Sequence, residues 1–292
     1  VGKPLAPKFE PEGGTFSNTV RLAISSDRDA TICFTTNGND PGCTTTGATA
    51  VCTGTAVPYT TMIEILGGTA GTTAINVKAL ACRVGAENTD IISKNYSFVA
   101  AAPTSTVAAG TFAPGPQNPR LATTTVGGEI RYTLDGTDPN CSTSDVITSP
   151  VGALPAAITS NTVLKAITCK VGYQASPVAS FDYRIQGVTP AIAPAVLTQN
   201  TAFDVSITAA DPTICYTLNG TAPTCTVAGT TAACGAGSTP YTAAFRIEKN
   251  AGLAGTNVRA VACGPQHVAS AAANVTYKLK EIDPQVVPAD TA

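Results

Sequence analysis

Ile130-Arg131-Tyr132-Thr133-Leu134-Asp135-Gly136-Thr137-Asp138-Pro139-Asn140-Cys141 is the stretch that decides the fold, because two variants of it flank it in the same chain. Ile32-Cys33-Phe34-Thr35-Thr36-Asn37-Gly38-Asn39-Asp40-Pro41-Gly42-Cys43 comes before it. Ile214-Cys215-Tyr216-Thr217-Leu218-Asn219-Gly220-Thr221-Ala222-Pro223-Thr224-Cys225 comes after. Each is followed by a second block: Val77–Cys82, Leu164–Cys169 and Val258–Cys263, with a basic residue second and cysteine last. Each unit closes on an alternation: Tyr96 and Phe98, Phe181 and Tyr183, Val275 and Tyr277. A chain that repeats itself at this spacing is a tandem array.

Inside the blocks the period is two, the period of a strand. Val20, Leu22 and Ile24 alternate with Arg21, Ala23 and Ser25; Phe203, Val205 and Ile207 do the same in the third copy. Asn37-Gly38, Asp135-Gly136 and Asn219-Gly220 are expected to supply positive-φ residues to a tight turn. Short strands between frequent turn signals predict an all-β fold of three tandem immunoglobulin-like antiparallel β-sandwiches. The boundaries fall where the pattern lapses into Ala, Pro and Thr: 1–100, 101–187 and 188–280, with 281–292 as a C-terminal tail. The linkers are short and contain Pro, so an extended arrangement with limited bending is expected.

Composition narrows the function classes. Charged residues make up 12% of the chain and hydrophobic ones 43%, which allows each unit a core and is unlike a disordered segment. The formal net charge is -2 and no basic cluster is present, which argues against nucleic acid as a partner. No run is long and apolar enough to span a bilayer. The sequence opens at Val1 without a charged-then-apolar leader, and the expectation is a mature secreted product.

Ten cysteines, none in a C-x-x-C pair, point to an oxidising, extracytoplasmic setting: secreted or at the cell surface. The repeat selects their pairing. The middle copy holds only Cys141 and Cys169, which must pair if each domain is self-contained. Their counterparts are Cys43 with Cys82 and Cys225 with Cys263. The remaining cysteines pair as Cys33 with Cys52 and Cys215 with Cys234, an extra bridge that the middle copy lacks, Arg131 standing at that strand position.

Tyr132–Pro139, followed by Leu164-Lys165-Ala166-Ile167 and Gly172-Tyr173, resembles the Ig-like module at the C-terminus of chitobiases and β-hexosaminidases, also described as a fibronectin-type-III-associated domain. The flanking copies match with substitutions: Asn37 and Asn219 for the first Asp, Ala222 for the second. The resemblance implies a small β-sandwich in bacterial extracellular proteins, often in tandem arrays, and brings no catalytic residues with it.

Residue by residue, the inventory for catalysis is thin. His267 is the single histidine and lies in a Gly264-Pro265-Gln266-His267 turn with no partner evident nearby, so it reads as a plain surface side chain. With every cysteine in a bridge no thiolate nucleophile remains. Asp135 and Asp138 invite a calcium or acid/base reading, but the third copy has Asn219 and Ala222, so turn formation is the better account. Neither a cofactor nor a metal is expected. Sugar-binding sandwiches rely on exposed aromatics, and the chain has no Trp; Tyr59, Tyr173 and Tyr241, each beside Pro or Gly, are the candidates for ligand contact. Four Asn-x-Ser/Thr patterns start at Asn95, Asn140, Asn219 and Asn274 and matter only in a host that glycosylates them.

The function expected is therefore a non-enzymatic stalk, spacer or filament subunit of a bacterial surface. Its partners would be itself as a homopolymer, other surface proteins, or polysaccharide, with assembly by strand addition from Val1–Glu12 or Glu281–Ala292. The alternative is a carbohydrate-binding or accessory module of a larger glycoside-processing protein.

Overall fold

In the computed structural model, residues 2–67, 74–147, 151–154, 156–195, 198–199, 201–228, 230–248 and 255–280 are described. The expected tail, 281–292, and the donor segment Glu281–Ala292 lie outside them. Every regular element among the described residues is a β-strand, so the fold is all-β.

The first copy sets the pattern. Its strands are β1 (Lys8–Glu10), β2 (Gly14–Phe16), β3 (Val20–Ser25), β4 (Thr31–Thr35), β5 (Gly42–Thr46), β6 (Thr49–Thr53), β7 (Val57–Pro58), β8 (Ile63–Ile65), β9 (Ala74–Cys82) and β10 (Ile92–Phe98). They form a three-stranded sheet in the order β1-β3-β8, a five-stranded sheet in the order β2-β10-β9-β4-β7, and a separate hairpin β5-β6. Alternation decides which side chains turn inward. Phe9, Leu22, Ile24 and Ile65 from the small sheet meet Ile32, Phe34, Val77, Ala79, Tyr96 and Phe98 from the large one in a single buried cluster. Two sheets sharing one apolar interior make a sandwich.

On β4 and β9 burial extends to both faces, because the hairpin β5-β6 lies over the outer one. Cys33, Leu80 and Cys82 form a second, smaller buried cluster there, packed by Cys43, Ala50 and Cys52 of the hairpin. That explains why β4 and the end of β9 read as continuous apolar runs instead of alternating.

The same strand order occurs three times along the chain, and the third copy repeats the hairpin as Cys225–Ala228 with Thr231–Cys234. Its interior is Val205, Ile207, Ile247, Val258, Ala260 and Tyr277. Among the described residues the middle copy has no such hairpin. Arg131 stands at the position of Cys33, and its guanidinium donates to Glu129 at 3.0 Å and to the Ser144 carbonyl at 3.2 Å.

Two compact units divide the chain: Val1–Val107, Pro119–Pro155 and Leu164–Phe181 in one, Ala108–Asn118, Ala156–Val163 and Asp182–Ala292 in the other. The dividing line runs through the middle copy. The first unit contains the join between copies one and two. The Phe98 and Tyr173 rings pack at a tilt with centroids 5.2 Å apart, Gln174 N–H donates to the Phe98 carbonyl, and Ala100 N–H donates to the Gln174 carbonyl, both at 2.9 Å. Asn18 holds the other side, donating to Thr124 and accepting from Val126 N–H. The second unit contains the join between copies two and three, made the same way: Val268 N–H donates to the Ile185 carbonyl and Gly187 N–H to the Val268 carbonyl.

The N-terminal segment is not a free strand donor. β1 is paired with β3 through Lys8–Ser25, Phe9–Ile24 and Glu10–Ala23, and Leu5 is tied to Asp27 and Ser26. Phe9 is buried in the sandwich it opens, so apolar burial has already used the strand that Val1–Glu12 was expected to offer.

Candidate functional site

The repeated turn is built from backbone requirements upward. Gly38, Gly136 and Gly220 have φ near +80°, where a Cβ is strained. The preceding Asn or Asp keeps negative φ and uses its side chain instead. Asn37 accepts from Asn39 N–H, Asp135 from Thr137 N–H and Asn219 from Thr221 N–H, at 3.0, 3.0 and 3.1 Å. Each is an Asx-turn in which the Gly alone takes positive φ; in the first copy β4 pairs with β7 and β9, not with the segment directly after the turn. The Thr137 hydroxyl and amide together hold the Asp135 carboxyl below the usual carboxylate range.

The second acid of the motif also has a structural partner. Lys78 Nζ lies 2.7 Å from Asp40 and Lys165 Nζ 2.7 Å from Asp138. Lysine of the second block thus pins the turn of the first block. In the third copy Ala222 removes the acid, and Arg259 donates to the Gly220 carbonyl at 3.2 Å instead. These groups are occupied in holding the turn.

Cysteines are joined in five pairs. Cα–Cα distances are 5.4 Å for Cys33–Cys52, 6.5 Å for Cys43–Cys82, 5.7 Å for Cys141–Cys169, 5.4 Å for Cys215–Cys234 and 6.2 Å for Cys225–Cys263. The sulfurs of Cys33, Cys43 and Cys82 lie within 4.8 Å of one another, the spacing of a metal site. All three are in bridges, so none offers the thiolate that a metal would need.

The three tyrosines expected as ligand contacts all take part in packing. Tyr173 is 8% exposed, lies against Phe98 at the join and carries the Lys170 ammonium 4.2 Å above its ring. Tyr59 packs edge-on to Phe34, and Tyr241 does the same against Tyr216 and Phe245; both are half-buried. Pro and Gly neighbours suggested exposed loops, but aromatic area is better placed on the sandwich rim or in a join.

His267 also differs from the sequence expectation. Its Nδ1 is 2.8 Å from Oδ1 of the buried Asp211, and its Nε2 is 3.2 Å from the Thr159 carbonyl of the preceding copy. The Asp211 carboxylate raises the His267 pKa, against the opposing effect of burial and with help from the Thr159 carbonyl. The imidazolium form donates to both acceptors and so clasps the join. Arg184, the other charged side chain lining this cleft, is paired with Asp182. Asp211 is far from His267 in sequence, which hid the pair. A legible signal existed: His267 and Tyr173 each follow the last cysteine of their copy by the same interval.

Tandem Ig/Fn3-like sandwiches, each carrying disulfides, define the class of protein. Residues 107–180 match the chitobiase/beta-hexosaminidase C-terminal domain model, and residues 205–277 match the Fn3 associated model. The Tyr132–Pro139 and Gly172-Tyr173 motifs thus lie in a segment of the family that they resemble. No curated protein sequence matches the chain. Among solved structures, it is similar to the titin three-Ig segment I67–I69, an E-to-A variant, at 10% identity. That match covers 94% of this chain and 99% of that one, with a TM-score of 0.30. It is also similar to the three N-terminal domains of the bacteriophage RB49 highly immunogenic outer capsid protein, at 10% identity, with 90% and 94% covered and a TM-score of 0.32.

Proposed function

We propose that the chain is a non-enzymatic extracellular structural protein, a stalk, spacer or filament subunit of a bacterial surface. Its modules would be 1–100, 101–187 and 188–280, each closed by its own disulfides. The observation that carries this reading is the repetition of one join. Both copy-to-copy contacts use the same strand end, the same two backbone hydrogen bonds and a ring at the same position. A chain that spends its aromatic and titratable side chains on joins and turns is suited to holding distance, and the conspicuous carboxylates and the single histidine are engaged there. The family's extracellular setting and the disulfides favour an oxidising compartment.

The alternative, a polysaccharide-binding accessory module, draws support from the family match alone. Retention of the purified chain on chitin and cellulose, with a glycan array beside it, tests the two. Flow-through on all supports is expected. Saturable retention would overturn the structural reading in favour of the accessory one.

A further inference from the structure

The bridge of the middle copy differs from the other four in what surrounds its sulfurs. In the first copy Cys33 and Cys82 are fully buried, and their partners Cys52 and Cys43 are partly buried in the hairpin that packs over the sheet. In the third copy Cys215 and Cys263 are fully buried, and Cys234 and Cys225 are partly buried. Among the described residues the middle copy has no hairpin to cover its bridge. Cys169 keeps 9% exposure there, and its partner Cys141 is exposed.

Both ends of this bridge line one cleft of about 380 Å³, together with Glu129, Lys170 and Tyr173. Asn140 holds the loop that carries Cys141, its side-chain oxygen accepting from Ser142 N–H at 2.9 Å and from Thr143 N–H at 2.8 Å. The charges of the cleft do not cancel. Glu129 is neutralised by Arg131 at 3.0 Å, whereas Lys170, its ammonium 4.2 Å from the Tyr173 ring centroid, has no carboxylate partner among the described residues. A disulfide opens when a thiolate attacks one sulfur, so access to that sulfur and the ease with which the other departs as a thiolate set the rate. Cys225 also lines a cleft, beside His267, but the sulfur that would depart belongs to the fully buried Cys263, where a thiolate is disfavoured. Cys169 departs instead into the cleft that Lys170 lines.

We propose that Cys141 is a thiol-exchange site for a small anionic thiol. The incoming thiolate bonds to Cys141 Sγ, the bond between the two Sγ atoms breaks, and Cys169 leaves with the electron pair. The Cys169 thiolate then takes up the proton that the incoming thiol released. One disulfide replaces another, so the step needs no oxidant or reductant besides the thiol itself. The uncompensated Lys170 favours a thiol that carries carboxylates, and the cleft has the volume of a small-molecule site. The middle copy has a single bridge, while each flanking copy has two. The chain thus places one thiol-addressable module between two sealed ones. This goes beyond the structural reading and does not depend on it.

The test uses the full oxidised chain. It is incubated with reduced glutathione under native conditions, quenched with N-ethylmaleimide at intervals, digested and mapped by mass spectrometry. Glutathione is expected on Cys141 and the maleimide on Cys169, at least about ten-fold faster than any bridge opens in the flanking copies. Lys170→Gln, with its fold checked by circular dichroism, should slow glutathione about three-fold and leave cysteamine, a thiol of positive charge, no slower. Lys170→Arg should keep the parent rate. Adducts forming equally fast in the flanking copies, glutathione on Cys169 with Cys141 free, or a glutathione rate indifferent to Lys170→Gln would each overturn the proposal. None of these results affects the spacer reading, which fails only on polysaccharide retention.

Discussion

Cys43 and Cys52 face each other across the hairpin β5-β6, yet each is bonded to the sheet beneath instead of to the other. Cys52 reaches Cys33 on β4 and Cys43 reaches Cys82 on β9, so the hairpin is fixed to two adjacent strands. The third copy repeats this with Cys225 opposite Cys234. Non-reducing peptide mapping should recover Cys33–Cys52 and Cys43–Cys82 as separate linkages. A Cys43–Cys52 peptide would contradict the arrangement.

Reducing the middle copy should be costly because it has one bridge. Closing the 28-residue separation of Cys141 and Cys169 restricts the unfolded chain by about 3–4 kcal/mol. A Cys141→Ser, Cys169→Ser variant should lose that much stability in denaturant unfolding, with the transition assigned to the middle copy.

The fold was legible because its determinants are local and repeated. Alternation put Val20, Leu22 and Ile24 on one face, and all three are buried; the Gly at each repeated turn does hold the positive φ expected of it. What sequence could not supply was long-range. Tyr173 and Tyr59 carry the same loop signals as exposed tyrosines, and only the neighbouring Phe98 and Phe34 show where the rings go. Asp211 and His267 are 56 residues apart, a separation that no local pattern bridges. The hairpin over β4 and β9 likewise explains a both-faces burial that alternation alone could not foresee.

Tyr173 should behave as a packing residue. Tyr173→Ala should cost about 3 kcal/mol, as large-to-small changes of buried aromatics do. The hydroxyl is buried and has no hydrogen-bond partner among the described residues, so Tyr173→Phe should be neutral or slightly stabilising. Thermal unfolding of both variants checks the pair.

His267 gives the chain one pH-sensitive contact. Its pKa is raised in the folded protein, so the contact contributes fully below the ordinary value of about 6.5 and fades as pH rises through the folded value. As the single histidine, it can be followed alone by NMR. Titration should give a midpoint above 6.5, and Asp211→Asn should bring it down. A midpoint unaffected by that substitution would show that Asp211 is not its partner.

The turn ion pairs should matter little. Lys165 and Asp138 meet with the acid side chain 70% exposed, where such pairs contribute under about 1 kcal/mol. Asp138→Ala, which imitates Ala222 of the third copy, should shift chemical unfolding by no more than that.

The central claim is a structural chain of sandwiches closed by internal disulfides, and pulling single molecules end to end tests it most directly. Under oxidising conditions the chain should yield in short steps. With reductant the middle copy's step should lengthen by about 90 Å, the reach of the 28 residues that its bridge encloses. Step lengths that ignore the reductant, or extension without stepwise resistance, would contradict the account.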